Sequence, residues 1–145
     1  VRVLVHGFAH TQQAAELTEK EPLTVLEVSL LEGIAEFVTE LMSGGPAYAY
    51  LAPQVKGRET EIETAFLPDV DNTELSAWVY NSTPEQPGDL GYWVGYRIAR
   101  AYYLKAPDKA EALSAMLRMT DAHAFLEASG WRPGLDLDQP VSPPD

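Results

Sequence analysis

The sequence predicts a mainly α domain, and three observations support this class. Apolar residues recur at the 3.6-residue spacing of an amphipathic helix in several segments. Beyond the first few residues, no segment shows the apolar–polar alternation of a half-buried strand. Glycine and proline clusters such as SGGP interrupt the helical segments where helices should end. We therefore expect a helical domain in this chain of 145 residues, which is long enough to bury a core.

Two helices are expected in the first third of the chain. Residues 1–17 are dense in helix-compatible side chains, and four of them are spaced to share one side: Val5, Phe8, Ala9 and Gln12. Thr24 can cap a second helix that runs to about residue 42, with Glu27 at the capping-box spacing. The apolar residues of this second helix follow the helical period: Leu26, Leu30, Ile34, Phe37, Val38 and Leu41.

The rest of the chain alternates turns with shorter helices. The pattern predicts helices over residues 58–66, 74–80, 90–104, 108–119 and 122–128, separated by turn-rich stretches such as PDVDN and NSTPEQPGD. Residues 1–132 are expected to form one domain, or a fragment of a longer one. Residues 133–145, which end in QPVSPPD, are expected to be a loose tail.

Composition and charge exclude several kinds of function. The net charge is −12, so unaided nucleic-acid binding, which needs clustered Lys and Arg, is not expected. No apolar run approaches the ~20 residues that a membrane-spanning helix needs. The first residues, VRVLVHG, lack the layout of a signal peptide. The chain has no cysteine, so any bound metal would use imidazole and carboxylate ligands.

The motif VHGFAHTQQ places His6 and His10 four residues apart, as in the H-E-x-x-H motif of zinc peptidases. On a helix this spacing puts both imidazoles on one face, where they could bind one zinc ion. Gly7 stands where that motif has its glutamate. The alternative is that one histidine lies at the surface and the other is a hydrogen-bonded core residue.

The second helix offers further carboxylates in the sequence LLEGIAEF. Glu32 could be a third metal ligand, and Glu36, one turn later, could accept a hydrogen bond from a ligand imidazole. Glycine in a helix interior costs roughly 1 kcal/mol against alanine. Gly33 should therefore have a packing reason, and close approach to the first helix is one such reason. The alternative is that Glu32 and Glu36 form a solvated acidic stripe with Glu40.

Taken together, these blocks resemble the DUF2268 family of predicted zinc-dependent proteases, of the gluzincin group. The similarity rests on HGFAHTQQ, LLEGIAEFVTELMSG, WVYN, DLGYWVGYRIARAYY, DKAEAL and DAHAFLEASGW, which span about residues 3–131. The resemblance implies a helical zincin-like domain in which His6, His10 and Glu32 bind Zn²⁺ and Glu36 supports a ligand. It also implies that Tyr96 or Tyr92 steadies an oxyanion, although both tyrosines are equally explained as core aromatics.

The same resemblance implies a peptide or protein substrate, with two departures from the family. Gly7 cannot serve as the general base, and losing such a group typically costs a factor of ~10²–10⁴ in rate. Most of the upstream β-sheet of zincin-like enzymes is missing, because only VRVLV precedes His6. We therefore expect an impaired peptidase; the alternatives are a non-catalytic metal-binding or interaction module and a helical domain without metal. Relatives with secretion or lipoprotein signals imply a cell-envelope location.

Overall fold

The computed structural model describes residues 1–85 and 88–145, and these residues form helices and no strand. The prediction of a mainly α fold is therefore confirmed. Two short 3-10 turns, Ala49–Leu51 and Leu67–Asp69, accompany the α-helices. The α-helices of the described residues are α1 Arg2–Gln12, α2 Ala15–Thr18, α3 Val25–Ser43, α4 Ala52–Val55, α5 Glu59–Phe66, α6 Leu90–Lys105, α7 Lys109–Leu117 and α8 Ala122–Ser129. None of them is both long and apolar enough to span a membrane.

Helix α3 is the centre of the fold and contacts α1, α6, α7 and α8. Its predicted apolar side is buried throughout, from Leu26 to Leu41. The predicted capping box is present, with the Glu27 amide donating to Thr24 Oγ1 at 3.2 Å and the Thr24 amide donating to Glu27 Oε1 at 2.9 Å. The amide of Val25 donates to the carbonyl of Asn72 at 2.8 Å, so the loop that follows α5 also caps α3.

Glycines bring α3 and α6 into direct backbone contact. A Cβ atom added at Gly33 would lie 2.2 Å from the backbone carbon of Gly95. One added at Gly95 would lie 1.8 Å from the carbonyl oxygen of Ser29. The expected approach of Gly33 to the first helix is therefore wrong, because its close neighbour is α6. Only a residue without a side chain allows two helix backbones to meet at this distance.

Helix α1 lies against α3 through a largely polar face. Among the residues of α1, all of which the structure describes, Ala9 alone is buried. Phe8 is 65% exposed, as are Val3 at 85% and Leu4 at 77%. The side defined by Val5, Phe8, Ala9 and Gln12 is therefore not the buried side of α1. The inward face instead carries Arg2, His6, Ala9 and, just after the helix, Gln13, at the spacing i, i+4, i+7, i+11.

Residues 74–80 form a turn and not the predicted helix. The amides of Trp78 and Val79 both donate to the carbonyl of Leu75, each at 3.0 Å, which makes a single closed turn. The Trp78 carbonyl then accepts from the amide of Gly91 at 3.0 Å, and its indole donates to Asp69 at 2.8 Å. These tertiary bonds override the local preference for helix. The helix predicted over residues 1–17 is divided in the structure, because α1 ends at Gln12 and α2 begins at Ala15. The remaining predicted helices agree with the structure to within two residues at each end.

A fully buried carboxylate connects α5, α6 and the end of the chain. Glu63 is 0% exposed and pairs with Arg97, whose Nη2 lies 3.0 Å from Glu63 Oε1. The indole of Trp131 donates to the other carboxylate oxygen, and the amide of Gly134 donates to Oε1 at 3.4 Å. Arg97 also donates to the carbonyl of Leu135 at 2.7 Å. The division of the chain at residue 132 stays a prediction.

Candidate metal site

Three predicted ligands lie together between α1 and α3. The Nε2 atoms of His6 and His10 are 3.0 Å apart. His6 Nε2 lies 3.3 Å from Glu32 Oε2, and His10 Nε2 lies 3.4 Å from Glu32 Oε1. Their side chains are 28%, 33% and 29% exposed, so solvent or a ligand can reach them. Within the described residues this is a cluster whose ligand atoms could hold a metal ion.

Each imidazole is oriented through its other nitrogen. His6 Nδ1 lies 3.0 Å from Glu36 Oε2, and His10 Nδ1 lies 2.9 Å from Gln13 Oε1. The Gln13 amide nitrogen donates to the carbonyl of Leu31 at 2.8 Å, so its oxygen must face His10. Both acceptors favour the tautomer with a proton on Nδ1 and a free lone pair on Nε2. Two Nε2 lone pairs and a carboxylate therefore converge on one point.

Two residues of this arrangement are absent from the sequence-based interpretation. Arg2 donates to Glu36 through Nη2 and to the carbonyl of Gly44 through Nη1, the latter at 2.7 Å. It thereby holds Glu36 in place from one side while His6 contacts it from the other. Gln13 orients His10 in the same way. Helical spacing was the available signal, because both residues share the inward face of α1 with His6.

The pKa values of the cluster follow from these contacts. Hydrogen bonding to Glu32 and then to Glu36 raises the pKa of His6 to about 9, against the opposing effect of burial. The bond to Glu32 also raises the pKa of His10. Burial favours a higher pKa for Glu32, but the hydrogen bonds from His10 and His6 outweigh it and lower that pKa to about 2. Without a cation, the cluster would thus hold a proton on His6 between ionised carboxylates.

Tyr96 and Tyr92, the two tyrosines expected to stabilise an oxyanion, have different surroundings. The Tyr96 hydroxyl donates to Glu40 Oε2 at 2.6 Å and accepts from Arg100 at 3.2 Å, so it belongs to a separate ion-pair network. Tyr92 is half-buried, and burial followed by a hydrogen bond with Tyr80 raises its pKa. Tyr48, which the sequence did not single out, donates from its hydroxyl to the carbonyl of Glu32 at 3.3 Å.

Gly7 lies on the outward side of α1. It is exposed, and a Cβ atom built on it would meet no atom within 4 Å. The residue after His6 is therefore open to solvent and supplies no group that could take a proton. Sequence spacing placed this position correctly relative to His6 and His10, and its outward orientation is seen only in the structure.

Comparison with known proteins identifies one family. The sequence model described as gliding motility protein GldB matches residues 58–133, which is just over half of the chain. The matched residues run from the start of α5 to just beyond α8 and include Tyr92, Tyr96 and the buried Glu63. They exclude α1 and α3, which carry the His–Glu cluster. No curated protein and no solved structure gives a significant match.

This match overturns the expected assignment to the DUF2268 proteases. The expected peptidase function is wrong with it, and so is the description of the chain as a hydrolase, metalloprotease, gluzincin or pseudoenzyme. The chemistry of Gly7 agrees with this correction, because no general base follows His6. Resemblance of several short blocks misled the assignment. Helical spacing alone pairs His6 with His10, whereas the choice of Glu32 as the third ligand leaned on that resemblance. The structure brings the three side chains together independently of that family.

Proposed function

The chain belongs to the family of the gliding motility protein GldB, and we propose that it acts in gliding motility as a domain that binds a divalent cation. Zinc is the ion best suited to the ligand set of two imidazoles and a carboxylate. The cation would join α1, through His6 and His10, to α3, through Glu32. Its role would be to hold this face of the domain in shape and to present an accessible cation.

One observation carries the cation proposal. Both Nδ1 atoms are engaged by acceptors, Glu36 and Gln13, so both Nε2 atoms are left with lone pairs 3.0 Å apart. When both imidazoles are neutral, two lone pairs face each other beside a carboxylate with no donor between them, and a cation supplies what that arrangement lacks. The outer partners match those that ligand histidines usually have in zinc sites.

The distances suit a single ion. Two ligands at ~2.0–2.1 Å from a tetrahedral zinc lie about 3.3 Å from each other. The observed separations of 3.0, 3.3 and 3.4 Å bracket that value. Three protein ligands at a partly exposed site leave a coordination position for water or another ligand. The net charge of −12 also raises the local concentration of cations.

A proton is the competing occupant of the same place. The raised pKa of His6 supports an imidazolium between Glu32 and Glu36, which would make the cluster a purely structural ion-pair network. The two readings differ in what the chain does with zinc. A cation site binds it with defined stoichiometry, whereas an ion-pair network does not.

Zinc titration of chelator-treated protein, followed by calorimetry, tests the proposal. We expect one zinc ion per chain. His10→Ala and Glu32→Ala should abolish binding, and Glu36→Gln should weaken it by about 10–100-fold because the supporting bond to His6 is changed. His123→Ala is the matched control, since His123 is exposed and contacts Asp71 away from the cluster. Absence of stoichiometric zinc binding in the wild type, or equal binding by His10→Ala, would reject the cation site.

The link to motility has a separate test in the organism that encodes this protein. Deleting the gene should abolish spreading on a surface, and the wild-type gene should restore it. Glu32→Ala, expressed at the wild-type level, should restore little spreading if the cation is needed. A deletion strain that glides normally would remove the motility proposal, and full rescue by Glu32→Ala would separate motility from the cation.

A further inference from the structure

A cavity of about 250 Å³ opens directly beside the His–Glu cluster. His10 and Glu32 line it together with the apolar side chains of Leu23, Val28 and Leu31 and the polar side chains of Gln13 and Thr18. Tyr80 forms part of the wall. The cavity continues into a larger groove of about 720 Å³, with which it shares Leu23, Val28 and Tyr80. A molecule in the cavity would thus contact two of the proposed cation ligands and several apolar side chains.

Tyr80 is held in this wall at a conformational cost. Its φ of 58° lies in the left-handed region, which is uncommon for a residue other than glycine. The Tyr80 amide donates to Asp89 Oδ1 at 2.9 Å, while Ser82 donates to Asp89 Oδ2 at 2.8 Å. Backbone strain of this kind persists only where the surrounding structure imposes it, and it concentrates at ligand and active sites.

Core packing does not explain this strain. The Tyr80 side chain is 71% exposed, so little apolar area is buried by holding it there. Its ring meets that of Tyr92 edge to face, with centroids 6.2 Å apart, and this contact orients the exposed ring. An exposed aromatic side chain that is fixed at the mouth of a cavity is suited to cover a ligand inside it.

Charge decides which ligand chemistry fits. Without a cation, ionised Glu32 and the net charge of −12 would repel an anion from the cavity. With a divalent cation bound to the cluster, this part of the cavity would attract an anion. A carboxylate is a suitable anion, because zinc binds carboxylate oxygens. The side chains of Leu23, Val28 and Leu31 favour an apolar group on the ligand, because they carry no charge.

We propose that this cavity binds a small carboxylate bearing an apolar group, with the carboxylate on the cation at His6, His10 and Glu32 and the apolar group between Leu23, Val28 and Tyr80. The inference rests on the proposed cation site and names the ligand class that this site would take. A free aliphatic acid and the C-terminus of a peptide share this chemistry. The volume of about 250 Å³ admits the end group of such a molecule and not a folded partner.

Calorimetric titration of the zinc-loaded chain with acetate, hexanoate and hexylamine tests this proposal. Hexanoate should bind at least about tenfold more tightly than acetate, because each CH₂ group moved out of water favours binding. Hexylamine, with the same apolar chain and the opposite charge, should not bind to the zinc-loaded chain, and the zinc-free chain should bind neither acid. N-acetyl-leucine, compared with hexanoate, distinguishes a peptide C-terminus from a free aliphatic acid as the preferred source.

Tyr80→Ala and Tyr50→Ala form a matched pair of variants. Both tyrosines are exposed, so both variants should fold and hold zinc, but Tyr50 lies outside the lining of the cavity. Tyr80→Ala should weaken hexanoate binding about fivefold or more and change acetate binding little, because it removes apolar contact. Tyr50→Ala should change neither.

The two proposals fail in different ways. If the chain binds no zinc, the cation site is rejected. A measurement of metal content shows this before any acid is added. A chain that holds zinc but binds hexanoate no better than acetate, or binds it equally well after Tyr80→Ala, overturns the carboxylate cavity and leaves the cation site standing.

Discussion

Gly95→Ala should lower the free energy of unfolding by about 3 kcal/mol or more, because the added methyl group has no space to occupy. Its Cβ atom would lie 1.8 Å from the carbonyl oxygen of Ser29 and 2.4 Å from its carbonyl carbon. Both are backbone atoms in the second turn of α3, so relief requires α3 and α6 to separate. Urea denaturation followed by circular dichroism measures the change. A cost of this size is a large fraction of the stability of a typical domain.

Two other glycines provide a graded comparison. At Gly91 the nearest obstacle is the Ser29 hydroxyl at 2.8 Å, which can rotate away, so Gly91→Ala should cost less than Gly95→Ala. At Gly7 no atom lies within 4 Å, and Gly7→Ala should stabilise the protein by roughly 1 kcal/mol through helix propensity. If Gly95→Ala unfolds at the same urea concentration as the wild type, the backbone contact between α3 and α6 is wrong.

Glu63→Ala is the second substitution for which we expect a large loss, about 3–5 kcal/mol. Glu63 is fully buried, and its removal leaves Arg97, whose side chain is only 14% exposed, without its counter-charge. The indole of Trp131 loses its acceptor at the same time. An unpaired buried charge is far more costly than the pair itself is favourable, so the effect comes from what remains behind.

Glu61→Ala is the control for this substitution. Glu61 lies on the same helix α5, but it is exposed and pairs with Arg58 at the surface, so its removal should change stability little. A second comparison removes both charges: Glu63→Leu combined with Arg97→Met should recover much of the loss. Equal denaturation midpoints for Glu63→Ala and Glu61→Ala would contradict the buried network.

Local patterns in the sequence were sufficient to predict helix α3 and to select candidate residues for the His–Glu cluster. The capping box at Thr24 and Glu27 and the apolar period of α3 are local features, and the structure contains both. The pairing of His6 with His10 also followed from helical spacing, and Glu32 was a candidate because it lies on α3, the next long helix in the sequence. Consecutive helices in a small domain usually pack together, so few arrangements were available for these residues.

Contacts between distant segments could not be predicted in the same way. Glu63 and Trp131 are separated by 68 residues, and nothing in the spacing of either indicates that an indole meets a carboxylate. Gly33 was correctly expected to mark a close approach, but its partner, Gly95, lies on a helix that begins more than fifty residues later. The left-handed backbone of Tyr80 has no local sequence signature, and its amide donates to Asp89, nine residues later in the chain.

The polar interface of α1 makes this helix the one expected to detach first from the rest of the domain. Ala9 is the buried apolar residue of α1, whereas Val3, Leu4 and Phe8 face solvent, so little hydrophobic free energy holds the helix down. Segments with few buried apolar contacts detach in fluctuations that leave the rest of a protein folded. A cation bound by residues of both α1 and α3 would hold α1 against α3. Its occupancy would set how long α1 stays docked, while the α3–α6 core keeps its fold with or without it.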